Sequence, residues 1–120
     1  MTTTIERIHT NHPRMSQIVI HNNIVYLSGQ VDESLESTDV EAQTKGTLAK
    51  IDKLLADAGT DKSKMIRATI WLKDIEKDFK GMNKVWEEWV DQDNKPVRAT
   101  TEAKLASPRL LVEIQVEAAK

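Results

Sequence analysis

The sequence predicts an α+β domain in which two helices pack on one face of one sheet, and three observations carry that expectation. Two segments place apolar residues at helical spacing; one run, residues 65–72, alternates side to side; and the order is strands, helix, strand, helix, two strands, with no repeat and no low-complexity linker. At 120 residues the chain has room for a single domain over residues 1–120. Folding it would hide roughly two-thirds of the surface that the unfolded chain exposes.

The first strands are short and β-branched: residues 4–8 and 17–21, the latter followed by Asn22-Asn23 and then Ile24-Val25-Tyr26-Leu27. Two asparagines between such runs predict a hairpin, because Asn tolerates the left-handed backbone that a tight turn needs. Thr38-Asp39-Val40-Glu41 has the form of a capping box, and Leu48, Ile51, Leu55 and Ala58 continue at helical spacing until Gly59 ends the first helix. From Met65 to Leu72, Ile66, Ala68, Ile70 and Leu72 alternate with Met65, Arg67, Thr69 and Trp71, a strand pattern. A second helix is expected over residues 75–91, its stripe of Phe79, Met82, Trp86 and Trp89 facing the core. Two more strands, residues 97–105 and 110–118, close the chain.

Charge and composition narrow the function classes. Seventeen Lys plus Arg against 19 Asp plus Glu leave a formal net charge of -2, so neither nucleic acid nor an anionic membrane is an expected partner. There is no cysteine, which excludes thiolate nucleophiles and suits a reducing compartment; residues 1–8 lack a secretory pattern, and cytoplasm is the expected location. No G-x-S-x-G elbow or glycine-rich phosphate loop is present among four glycines. His9, His12 and His21 read as surface histidines, not a metal site.

The last two strands hold the residues of interest. Arg98 alternates with Val97 and Ala99, and Glu113 with Val112 and Ile114, so both charges lie on polar rows of strands and not on loops. From pattern alone they read as solvated charges on an exposed sheet face. The alternative is a face covered by other copies of the chain, which would force such charges to be paired or used. In a plain hairpin with Leu105 facing Leu110, Arg98 would lie four rows from Glu113, roughly 14 Å away. One site using both then needs another strand pairing or a neighbouring subunit.

Several strings resemble one family. Ser28-Gly29-Gln30 after a strand, Asp78-Phe79 leading a helix that carries Asn83, Pro96-Val97-Arg98, and Val112-Glu113-Ile114 together resemble the RidA/YjgF proteins, over nearly the whole chain in order and spacing. The resemblance implies a single mixed sheet with two helices on one face, of the YjgF/chorismate-mutase-like kind, in a homotrimer with a barrel-like core and clefts between subunits. It also implies cofactor-free hydrolysis of 2-imino acids, such as 2-iminopropanoate or 2-iminobutanoate, or of their enamine tautomers, to 2-oxo acids and ammonia. On that reading Arg98 holds the substrate carboxylate and Glu113 handles water and protons. The chemistry agrees: a guanidinium fork matches a carboxylate, and one carboxylate can take a proton from water and return it to the leaving nitrogen. Gly29 leaves room for substrate beside the backbone, and Ser28, Asn83 and Thr100 offer hydrogen bonds. Family members often carry Tyr after Gly-Pro and Cys two residues after the Arg; here the positions are Arg14, in His12-Pro13-Arg14, and Thr100. A second reading is a noncatalytic trimer that binds small carboxylates or acts as a chaperone, which would need Arg98 but not Glu113.

Overall fold

The computed structural model describes residues 4–34 and 39–120. The expected architecture is present. Strands β1 (Glu6–Ile8), β2 (Ile18–His21) and β3 (Ile24–Leu27) precede helix α1 (Val40–Asp57); β4 (Met65–Leu72), helix α2 (Ile75–Trp89), β5 (Val97–Glu102) and β6 (Val112–Ala119) follow. They form one six-stranded mixed sheet in the order β1-β2-β3-β6-β4-β5. Asn22 and Asn23 have φ of 53° and 63°, the pair of left-handed residues that a two-residue hairpin turn requires.

The ends of the elements differ from the sequence expectation for local reasons. Thr38 of the expected capping box lies outside the described residues; the N-cap is Asp39, whose Oδ1 accepts from the Glu41 N–H at 3.1 Å. At the other end Gly59, with φ of 85°, lets its own N–H reach the Ala56 carbonyl and the Thr60 N–H reach that of Leu55, a paired closure of the helix. Helix α2 stops at Trp89, because Val90 already has an extended backbone with ψ of 144°. The last two strands are shorter than or offset from the expected runs, β5 ending at Glu102 and β6 beginning at Val112.

Both helices pack on one face of the sheet. Ile18, Val25, Leu27, Ala68, Ile70, Leu72, Val112, Ile114 and Val116 from the strands meet Leu48, Ile51, Leu55, Met82, Val85 and Trp86 from the helices. Phe79, expected in this core, is instead 41% exposed: the inward face of α2 runs through Ile75, Asp78, Met82, Val85 and Trp86, and Phe79 lies on its flank. A buried polar side chain ties the layers together: Gln43 of α1 donates to the Arg109 carbonyl at 2.9 Å and accepts from the Leu111 N–H at 2.8 Å. It anchors the connection between β5 and β6. Among the described residues no helix is long and apolar enough to cross a membrane.

One buried group works against stability. Asp78 in α2 is 4% exposed, and its Oδ2 has no hydrogen-bond partner among the described residues. Burial raises its pKa, with the charges of Asp74 and Asp39 adding to the effect and Lys77 opposing it. As pH rises from the ordinary carboxylate value through this raised one, the unfolded chain releases the proton first, so stability falls. Asp78→Asn is therefore expected to stabilise the fold at neutral pH by about 1 kcal/mol, an advantage that vanishes in acid. Denaturant titrations at several pH values read the difference.

Candidate functional site

Strand β4 lies between β5 and β6, so these two strands do not form a hairpin. β4 pairs with β5 in parallel and with β6 antiparallel. The register places Arg98 beside Ala68, which faces Val116; Thr101 lies beside Trp71, which faces Glu113. Paired residues share a face and successive residues alternate. Arg98 therefore points toward the helix layer, in the row of buried Ala68 and Val116, while Glu113 points to the opposite face with Trp71 and Thr101. The shared polar face expected from sequence does not exist: on β5 the polar row of Arg98 and Thr100 is half-buried, and Val97, Ala99 and Thr101 are exposed. Within one chain the two charges are three rows and two strands apart, roughly 14 Å between their backbones.

On the helix side, the end of α2, the turn at residues 90–96 and the start of β5 border an open cavity of about 720 Å³ lined by Asn83, Trp86, Glu87, Val90, Lys95 and Arg98 among others. The Arg98 guanidinium lies over the Trp86 ring, 5.4 Å from its centroid, a flat platform for a flat cation. Among the described residues no carboxylate comes within ion-pair distance of Arg98. Burial draws its pKa below the ordinary arginine value, with the charge of Glu87 opposing. Thr100, two residues along on the same face, has a buried Oγ1 with no hydrogen-bond partner among the described residues.

On the other face, Glu113 is half-buried and its carboxyl pKa is raised by desolvation. It lies against Gly29, where a Cβ would collide with the Glu113 carboxylate. The segment after β3 that presents Gly29 is held by a side-chain cluster: Ser28 Oγ donates to Gln17 Oε1 at 2.5 Å, and Gln30 Nε2 donates to Gln17 Oε1 at 3.0 Å. Ser28 and the buried Gln30, which bridges to Ile114, thus fix this segment. Gln17, which composition did not single out, completes it; its place just before the β2 run was the available signal. Gly29→Ala is expected to leave the fold intact, because the flexible end of Glu113 can swing away. Steady-state kinetics should then show at least a roughly tenfold loss of any turnover that uses this carboxylate.

The structure thus brings Asn83 and Thr100 to Arg98, and Ser28 and Gly29 to Glu113. Arg14 joins neither group; it is exposed on the N-terminal loop, its backbone N–H donating to His12 Nδ1 at 3.0 Å. His9 bonds Asp57 at 2.9 Å and is a surface pair.

These features define a class: a two-layer α+β domain with a cationic pocket on the helix side of the sheet and a half-buried carboxylate on the other. The model of the family described as endoribonuclease L-PSP matches residues 4–120. A RutC family protein of Haemophilus influenzae is 47% identical over 113 residues, covering 94% of this chain and 96% of that protein. The RutC family protein YoaB of Escherichia coli is 46% identical over 97% of this chain and 98% of its own. A crystal structure of a YjgF-family protein from Neisseria meningitidis superposes with a TM-score of 0.92 at 40% identity, covering 98% of this chain and 95% of the other. The chain belongs to this family, the YjgF and RutC proteins, as its motifs indicated.

Proposed function

We propose that the protein is a cofactor-independent deaminase that hydrolyses reactive 2-imino acids, or their enamine tautomers, to 2-oxo acids and ammonia. The observation that carries this reading is Arg98: a half-buried guanidinium, seated on an indole, in a cavity, with no carboxylate of the described residues in ion-pair distance. A desolvated cation without a counter-ion suits a ligand anion. The fork of Arg98 takes the substrate carboxylate, and the Asn83 amide on the cavity wall adds hydrogen bonds beside it.

The chemical step needs a positioned water and a carboxylate. Glu113, with its raised pKa, accepts a proton from water as the oxygen attacks the iminium carbon. It returns that proton to nitrogen in the tetrahedral adduct; ammonia then leaves as the again ionised Glu113 takes the hydroxyl proton, which it passes to solvent, and the carbonyl forms. Because Arg98 and Glu113 face opposite sides of one sheet, a site that uses both takes one from each of two subunits. The sheet face away from the helices is free to meet those subunits, with Tyr26 39% and Val97 68% exposed. A homotrimer built on this face is the assembly we propose, and light scattering that shows a stable monomer would overturn it.

The name of the family model points to RNA, but a formal net charge of -2 lacks the basic excess on which phosphate binding draws. The test is direct. An amino-acid oxidase generates 2-iminopropanoate in the presence of semicarbazide, and the protein should suppress its capture; unchanged capture would sink the deaminase reading and favour a carboxylate-binding protein without turnover.

A further inference from the structure

The Arg98 cavity holds a second charge that the reaction above does not use. Glu87 lies on α2 one turn beyond Asn83, at the spacing that puts two side chains on one helix face, and both line the cavity with Arg98. The helix end is fixed there: Gln92 Nε2 donates to the Glu87 carbonyl at 2.8 Å, closing the turn at residues 90–96 onto α2. Glu87 stays outside ion-pair distance of Arg98 among the described contacts, and its charge acts on the guanidinium; Lys95 adds a second cation to the cavity wall. The cavity thus sets an anion on α2 apart from the cations of Arg98 and Lys95, with space between them.

A ligand that is only an anion gains from Arg98 and is repelled by Glu87. A ligand with a carboxylate and an adjacent cationic nitrogen gains from both. We infer that Glu87 reads the positively charged nitrogen of the ligand, so that the cavity selects zwitterions, protonated 2-imino acids and α-amino acids, over simple carboxylates of the same shape. The inference rests on the carboxylate reading of Arg98 given above and adds a direction to it. A protonated 2-imino acid carries the cation that Glu87 attracts, whereas the 2-oxo acid product does not. Glu87 therefore holds substrate more firmly than product and favours product release.

L-alanine and L-lactate make a matched pair of probes, since they differ in an ammonium against a hydroxyl on the same carbon frame. Titrated into the wild-type protein and followed by NMR, L-alanine should bind roughly threefold to fivefold more tightly than L-lactate. Glu87→Gln keeps the shape and removes the charge, and should bring the ratio to one or below; Glu87→Asp should keep part of the preference. A wild type without the preference, or a Glu87→Gln variant that retains it, overturns the inference. The variant Arg98→Met separates the two readings. It should lose both ligands, and if it binds them as the wild type does, the carboxylate-anchor reading of Arg98 has failed, and the role of Glu87 with it.

Discussion

Glu113→Gln is expected to lower imine hydrolysis by about 100-fold or more, the range that a positioned acid–base group contributes, while carboxylate binding persists. The amide keeps the size of the side chain beside Gly29 but cannot take a proton from water. Stability should move the other way. Burial raises the Glu113 pKa, so the ionised carboxylate disfavours the folded state: stability is fullest below the ordinary glutamate pKa and falls as pH rises through the folded value. Removing the charge ends that fall, and the variant should melt no lower than the wild type at neutral pH. On the proposed mechanism turnover should have the opposite pH dependence, being present where Glu113 is ionised and lost as pH falls through its raised pKa. Kinetics and thermal melts on the same preparations separate these effects. A variant that hydrolyses imines at the wild-type rate removes Glu113 from the reaction.

The placement of the two charges shows how far the sequence could be read. The bounds of β3 and β4 were legible to the residue, from a β-branched run after turn residues and from alternation, although the alternation breaks at the start of β4, where the register shifts and Met65 is buried while Ile66 is exposed. The helices were legible from their stripes. β5 was not, for a physical reason: it is an edge strand, half-covered by the helix layer on the face of Arg98, whose guanidinium lies over Trp86, and open on the other face. Its apolar residues Val97 and Ala99 therefore face outward, and the usual rule that the apolar row marks the core assigns the strand to the wrong face. The insertion of β4 between β5 and β6 was concealed by treating neighbours in sequence as neighbours in the sheet. One signal did point to it: β4, α2 and β5 in succession are a strand–helix–strand unit, which joins parallel strands. Motif resemblance singled out Arg98, Glu113, Ser28, Gly29, Asn83 and Thr100 as candidates. Gln17 and Glu87 had no such signal, because nothing in their local pattern distinguishes a polar residue that faces a neighbouring segment or a cavity from one that faces water.

Arg98→Met should cost about 100-fold in kcat/KM, the worth of a lost charge-assisted pair of hydrogen bonds to a carboxylate. Methionine preserves the apolar stem over Trp86, so the fold should hold and the loss should fall mainly on substrate binding, in contrast to Glu113→Gln. The two variants together test the geometry. Each alone is nearly inactive, but in a homotrimer whose clefts join Arg98 of one subunit to Glu113 of its neighbour, mixed trimers contain some clefts that received a native residue from both sides. Dissociating the two variants, mixing them in equal amounts and reassembling them should recover about one quarter of wild-type activity, the fraction expected for random assembly of clefts between subunits. A site contained in one chain recovers nothing, whatever the assembly, because every chain in the mixture lacks one of the two residues. Since Arg98 and Glu113 face opposite sides of the sheet, recovery is the expected result.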